Sequence, residues 1–588
     1  MERQISIFDF PSQLHRGWRW LPWALLLAIT VALYGTSVHF NFVWDDWYYV
    51  RDNPLISEWS WDGLKLIWTS THLGHYAPVM ITTLAWLRHL FGLEPFGFHL
   101  AQLIVHSSCV VLVYLLLRKV ESGRVALLAA LLFVVHPANI ESIAWVSELK
   151  STLAFLFFLL SFWFFIRFRE QERWPDAALA AIFLAISLLA KINTVVAPAI
   201  FLLYDYRQGA ELKTLRWKSL LAFFLISGAM TVIHLRAFHG NSQALQADYY
   251  EGLATHIFGI PSVLAFYLQM IVLPYPIAAW QMFPAPNEHL LVNILGWFGV
   301  VAMGWLLYRS NRNVQFWALW ILVFLAPVLQ LVPFGIWVAD RYLYIPAIGG
   351  FVLIAQAFFW FLERHESRRK KIVANAAMSC AMLVLAWQTA LHLPAWKHDV
   401  TLWAATLPHC MSSAYCHASY GLALQGVGEY QQGGEELALA VRIDPQSRVF
   451  LVYLADALSM NARNYPAAID VYNRAILVAK EEEVRGKRGR IALSSIYSRL
   501  TRTYIIAGKF EFAGMAIQKG KQADPSDPAH PAMQALLEWK LGNLPAARRA
   551  IESLRNLTGD HQSSIFQLIG RHWGDRALVF GFLRDLSS

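Results

Sequence analysis

Long apolar runs recur through the first two thirds of this chain, and they limit what it can become. A run of about 20 such residues either crosses a membrane as a helix or is buried on every side. The candidate spans are 20–38, 99–117, 125–137, 151–168, 176–190, 194–206, 217–236, 291–308, 315–333, 345–363 and 372–392. Composition agrees: the 588 residues are 57% hydrophobic and 15% charged, against about 45–50% and ~25% in soluble domains. The reading is an all-α, polytopic membrane domain with about 11 transmembrane helices. The short runs 125–137 and 194–206, beside HPANIES and KIN, suggest helices that stop inside a cavity. The basic start, MERQISIFDFPSQLHRGWRW, precedes an apolar run without a small-residue cleavage site, so it reads as a retained first span.

Loop charge sets the orientation. Segment 256–273 is long enough to cross, but Pro261, Gln269 and PYPIAAWQMFPAP after it argue for a re-entrant or interfacial helix within a long loop, 237–290. With that choice, one side collects Arg3, Arg16, Arg19, Arg118, Lys119, Arg124, Arg167, Arg169, Arg173, Arg207, Lys213, Arg216, Lys218, Arg309, Arg312, Arg364 and Arg368 to Lys371. The positive-inside rule makes that side cytoplasmic, with the N-terminus in and everything after 393 out. Topology thereby accounts for the net charge of +9, and no nucleic-acid partner is needed.

The outer face then gathers the unusual polar residues. Loop 39–98 opens with NFVWDDWYYVRDNPL, placing Asp45 and Asp46 among Trp44, Trp47, Tyr48 and Tyr49. Carboxylates beside a bilayer are costly, which suggests function; a loop-capping pair is the plain alternative. One of them near an acceptor hydroxyl would serve as a general base. Segments 58–68 and 78–91 of the same loop have helical apolar spacing suited to the interface. His72 and His75 assist, hold a divalent metal with Asp45 and Asp46, or bond backbone; no third ligand at ordered spacing appears.

The second outer loop, HPANIESIAWVSELK, carries His136, Glu141, Glu148 and Lys150. Lys191 lies between two short spans, where a lipid phosphate or a carboxylate from another loop would answer its charge. Arg341, in VADRYLYIP, can grip a phosphate with two N–H groups, with Tyr342 and Tyr344 beside an acyl chain. His234, Arg236 and His239 end the span 217–236 as anion contacts or interface anchors. Cys109 and Cys380 lie in apolar spans as packing residues; Cys410 and Cys416 leave a bridge open.

From 394 the pattern becomes soluble and helical with a period near 34 residues, the tetratricopeptide length. Tyr420, Gly421, Leu424, Leu437, Ala440 and Pro445 mark the first repeat, and Leu454, Ala455, Leu458, Ala468, Tyr472 and Ala475 the second. Leu500, Tyr504, Ala513, Ile517, Gly520 and Pro525 mark the third, and Ala535, Ala547 and Ile551 the fourth. The amphipathic tail SSIFQLIGRHWGDRALVFGFLRDL suits a capping helix.

The ordered blocks WDDWYYVRDNPLI, HYAPVMITTLAWLRHLFGLEPFGFHLAQLIVH, HPANIESIAWVSELKSTLAF, LLAKINTVVAPAIFLLYD and VADRYLYIPAIGGF, with the terminal repeats, resemble a known family. It is that of the transmembrane and tetratricopeptide-repeat O-mannosyltransferases and their bacterial relatives, in the GT-C superfamily. The resemblance implies a GT-C membrane domain over 1–393 and a repeat solenoid over 394–588. It implies a polyprenyl-phosphate sugar donor, an outward-facing site and transfer with inversion. By position, Asp45 and Asp46 match the acidic pair, and Arg341 matches the basic residue near the donor phosphate.

Two departures stand out. Ile192 and Asn193 follow Lys191 where eukaryotic members often have Glu, and Ser147-Glu148-Leu149-Lys150 replaces Gly-Arg-Ala-Glu. Both favour a bacterial member. The expectation is therefore a glycosyltransferase of the bacterial inner membrane, with periplasmic repeats that recruit a protein or peptide acceptor. Its proposed base is Asp45 or Asp46, with Arg341, Lys191 and Lys150 on the departing phosphate. A glycan or lipid acceptor, or a non-catalytic scaffold for an envelope or pilus complex, are the alternatives.

Overall fold

The computed structural model describes residues 20–210, 217–240, 253–283, 290–331, 336–485, 491–558, 581–582 and 584–585. Arg3, Arg16, Arg19, Lys213 and Arg216 lie outside the described residues, as do the side chains of Lys218 and His239 and most of the amphipathic tail. The described residues are helical, with no strand among them. They form two compact units, 1–409 and 410–588.

The first unit opens with α1 (Leu21–Tyr34), α2 (Trp61–Thr69), α3 (Pro78–Phe91) and α4 (Pro95–Val120). It continues with α5 (Gly123–Val135), α6 (Ile140–Ala144), α7 (Leu149–Gln171), α8 (Trp174–Ala190) and α9 (Ala197–Arg207). Next come α10 (Trp217–Gly240), α11 (Leu253–Val272), α12 (Leu290–Arg309) and α13 (Arg312–Leu325). The last three are α14 (Ala347–Arg364), α15 (Arg368–His392) and α16 (Asp399–Thr406). Proline sets several starts, at Pro78 and Pro95, where its missing N–H has no helical partner to lose.

Among the described residues, eight helices are long and apolar enough to cross a membrane, or nine if the pair bent by 59° across Val135 and Pro137 counts as one span. This is fewer than the expected eleven. The runs 176–190 and 315–333 form shorter apolar helices, and 194–206 breaks into a 3-10 turn and the eleven-residue α9. The bend is local chemistry: His136 is extended ahead of Pro137, whose ring disfavours a helical residue before it.

The basic loops meet at one end of this unit. Arg207 reaches Glu121 (2.6 Å) and Asn313 (2.7 Å), Arg169 grips Asp205 through two N–H groups, and Arg312 donates to the Tyr206 carbonyl. Lys119 pairs with Glu170, and Arg124 with Glu363.

Helix α11 is continuous through Pro261, and Thr255–Val272 is long and apolar enough to cross a membrane, as its length led one to expect. His256 stacks on Trp337 at 4.6 Å, Ser262 bonds Asn293, Tyr267 accepts from the Ala339 N–H, and Ile271 abuts Gly350. These partners belong to the first turns of α12 and α14 and to the segment just before α14.

Cys109 is buried as expected, but Cys380 is exposed on α15, whose apolar surface is largely uncovered by the rest of the chain.

The second unit holds α17 (Ala414–Gly426), α18 (Tyr430–Ile443), α19 (Arg448–Met460), α20 (Tyr465–Val484), α21 (Leu493–Ile506), α22 (Phe510–Ala523), α23 (Ala529–Lys540) and α24 (Leu544–Thr558). They pack as consecutive pairs, each also touching the next. Small residues permit the close approach: a Cβ on Gly421 would stand 2.8 Å from the Gly433 carbonyl. Leu437, Ala440, Ala455, Ala468, Tyr472, Ala475 and Ala513 are buried between them. Cys410 and Cys416 form a disulfide at the head of the unit. In the tail, Phe582 packs on Trp539, whose indole donates to Asp585.

Within the first unit, Leu393–Thr406 packs against the loop that carries Asp45 and Asp46, so the observed division falls after His409 and beyond the expected 393/394.

Candidate active site

The two adjacent aspartates have separate fates. Trp44, just before them, sits in the left-handed region at φ 54°, uncommon for a bulky side chain, and after it Asp46 is buried while Asp45 is only partly so. Asp46 is fully buried and pins the first loop to the second. Its Oδ1 accepts from the Ser147 N–H (2.7 Å) and Oγ (2.5 Å), and its Oδ2 from the Val43 N–H (3.2 Å). Asp45 is only partly buried and lies within electrostatic reach of Lys150 and the Tyr49 hydroxyl. Its carbonyl accepts from the N–H groups of Tyr48 and Tyr49, closing the turn.

Beside Asp45 is a cluster of charge built from four elements. Glu148, buried in the turn before α7, pairs with Lys191 (3.0 Å), Lys150 (3.7 Å) and Arg341 (3.8 Å). Lys191 caps α8 and also donates to Ser151 Oγ (2.6 Å), which itself bonds Glu148. Lys150 lies over the Tyr49 ring at 4.7 Å. Arg341 stands on a 3-10 turn before α14. It donates from its backbone N–H (2.8 Å) and its guanidinium to Glu141, and covers Trp145 and Tyr342. Burial opposes the Arg341 charge, but Glu141, Tyr342 and Glu148 outweigh it, and its pKa stands well above the ordinary value. Three cations thus share two buried glutamates, with Asp45 at the rim. The carboxylate reading of Lys191 is the observed one. Arg341 answers Glu141 rather than Asp340, which accepts from Gln281 (3.0 Å).

The other expected residues divide. His72 and His75 close a two-residue turn on each other through backbone bonds of 3.0 and 2.9 Å, with Leu73 and Gly74 both at positive φ. His72 bonds the Tyr48 carbonyl, and His75 comes within electrostatic reach of Lys150, Lys191, Glu148 and His234. His136 is buried as the cap that accepts from the Ala138 N–H, against Phe351. Tyr342 lies under Arg341, but Tyr344 is buried in the core, its hydroxyl on His106 at 2.7 Å, which corrects the expectation that it lines an acyl chain. Arg236 is exposed near the end of α10, and among the described residues no contact joins it to the cluster. Among the described residues, no three His, Cys, Asp or Glu side chains are grouped to hold a metal ion.

Sequence reasoning missed Ser147, Ser151, Trp145 and Asp399. Ser147 lies inside a block already singled out. Asp399 had no signal, being a lone acid after the last apolar run.

Burial lifts the Asp46 carboxyl to about 7, against the pull of Ser147 and Val43. Between about pH 4 and 7 the folded chain therefore holds a proton that the unfolded chain releases, so stability falls as pH rises, by up to about 1.4 kcal/mol per pH unit. Thermal midpoints across pH 4–8 should show that slope in the wild type, and Asp46→Asn should flatten it.

Comparison with known proteins follows the same elements. The profile described as "Dolichyl-phosphate-mannose-protein mannosyltransferase" matches residues 75–234, a segment containing His75, Glu141, Glu148, Lys150 and Lys191. Human Protein O-mannosyl-transferase TMTC3 is 22% identical over 471 residues, 72% of this chain and 51% of that protein. Human Protein O-mannosyl-transferase TMTC4 is 26% identical over 488 residues, 69% of this chain and 64% of that protein. Mouse Protein O-mannosyl-transferase TMTC1 is 30% identical over 208 residues, 31% of this chain and 22% of that protein. The chain spans between half and two thirds of the length of the first two relatives. The resemblance first carried by short ordered blocks is thus a similarity to protein O-mannosyl-transferases over most of this chain.

Proposed function

We propose that the protein is a membrane glycosyltransferase that moves a sugar, mannose by analogy, from a polyprenyl-phosphate donor to a hydroxyl of a protein acceptor. The observation that carries this reading is Asp45 at the rim of a cluster in which Arg341, Lys150 and Lys191 share Glu148. In the reaction, the acceptor oxygen bonds to the anomeric carbon as the bond from that carbon to phosphate oxygen breaks. The hydroxyl proton passes to Asp45, and the electron pair leaves with the polyprenyl phosphate, whose charge the cations receive. Attack from the face opposite the phosphate inverts the anomeric centre. The departing group is already anionic, so the protein supplies position and fixed charge.

Asp46 is close to neutrality in pKa but sealed by Ser147, and a base must first reach its proton. Asp45 takes that role, and Asp46 holds the loop.

The cluster end is read as extracytoplasmic, because the basic loops gather at the other end and the disulfide heads the second unit. The membrane is taken as a bacterial inner membrane, and the paired helices after 410 as tetratricopeptide repeats in the periplasm that present a peptide.

The test is incubation of the purified full chain, in lipid vesicles, with radiolabelled polyprenyl-phosphate mannose and Ser/Thr-containing peptides. Label in peptide, released by alkaline β-elimination, is expected. Label confined to glycan or lipid would move the acceptor to the alternative class, and label in neither would overturn the reading.

A further inference from the structure

The segment after the last apolar helix returns to the first loop, and its contacts there bracket Asp45. Asp399, first residue of α16, accepts from the Trp44 N–H through Oδ1 and from the Trp47 indole N–H through Oδ2, both at 2.7 Å. One carboxylate therefore spans the residues on either side of the two aspartates. Two residues earlier, the Lys397 carbonyl accepts from the Asn41 N–H (3.0 Å).

The rings reinforce this clasp. Trp44 stacks on Trp145 with centroids 4.5 Å apart and planes within 6°, and meets Trp403 of α16 edge-on at 5.3 Å. Trp396 lies 5.9 Å from the same Trp145, whose ring also sits beneath Arg341 (5.5 Å) and Lys150 (5.8 Å). The aromatic stack thus connects the clasp to the cations. What it holds is a strained element, since Trp44 is kept at φ 54° and a bulky residue leaves that region when released.

We propose that Asp399 is a positioning residue for Asp45: by binding the Trp44 and Trp47 N–H groups it fixes the turn that aims Asp45 at the acceptor. Resting on the reading of Asp45 as the base, this assigns to the post-membrane segment a part in the active site. Asp399 touches no reacting atom and acts through the two tryptophans.

Asp399→Asn keeps size and shape but turns an N–H donor toward one of the tryptophan donors, and Asp399→Glu keeps the carboxylate. Hydrogen exchange of the full-length protein in lipid nanodiscs reports the clasp without any substrate. In Asp399→Asn, amides of residues 42–49 should exchange at least roughly tenfold faster while α4, α5 and α7 keep wild-type protection. With polyprenyl-phosphate mannose as probe, kcat should fall by about 10–100-fold at unchanged donor KM, and Asp399→Glu should restore part of both. Unchanged exchange across 42–49 would overturn the clasp. Faster exchange with wild-type kcat would overturn the positioning role. Should wild type itself transfer nothing from this donor, the proposed function fails, and the exchange result alone decides the clasp.

Discussion

Asp45→Asn is expected to lower sugar transfer by about 10³-fold or more, with donor binding and thermal midpoint near those of the wild type. The substitution leaves shape unchanged, and the Asp45 backbone carbonyl still accepts from Tyr48 and Tyr49. It removes the group that receives the acceptor proton, a contribution of typically 10²–10⁴-fold for a positioned base. Asp46→Asn makes the contrasting case. Asn can still accept from Ser147, but its amide faces the Val43 N–H, so the loss should fall on stability and only secondarily on rate. Initial rates and thermal midpoints of the two proteins, measured side by side, separate these roles. Wild-type rates in Asp45→Asn would remove it as the base.

The second large effect concerns Arg341. Replacing it with Met should abolish transfer and also destabilise the membrane unit, by about 3–5 kcal/mol, because Glu141 is left buried without its partner. The two consequences separate in a double variant. Arg341→Met with Glu141→Gln removes both charges, so stability should largely return while transfer stays absent. A double variant that transferred sugar at a substantial rate would show that Arg341 does not serve the leaving phosphate. Chemical denaturation together with the transfer assay reads both outcomes.

The sequence revealed most where physics acts over many residues. Apolar runs anticipated most of the long helices, though not which of them are long enough to cross, loop charge grouped the basic residues Arg207, Arg312 and Arg124 that the fold ties to neighbouring chain segments, and small residues spaced along 420–551 anticipated the helix pairs. Single contacts were less visible. That Asp46 would be sealed by Ser147 depends on two loops 101 residues apart meeting, and no local pattern encodes it. Tyr342 and Tyr344 are two residues apart, yet Tyr344 enters the core and Tyr342 lies under Arg341, because the 3-10 turn beginning at Asp340 rotates them to different sides. Asp399 was illegible for the same reason, its partners being 352 and 355 residues away. Length alone does not decide α11: it is long and apolar enough to cross, and its partners at Trp337, Asn293 and Gly350 lie too far along the chain for any local pattern to announce them.

A structure of the Asp45→Asn protein with polyprenyl-phosphate mannose bound tests the central claim most directly. The phosphate is predicted within hydrogen-bond reach of Arg341 and of Lys150 or Lys191, with the anomeric carbon facing residue 45. Phosphate seated at the basic end beside Arg169 and Arg207, or the sugar turned away from residue 45, would contradict it.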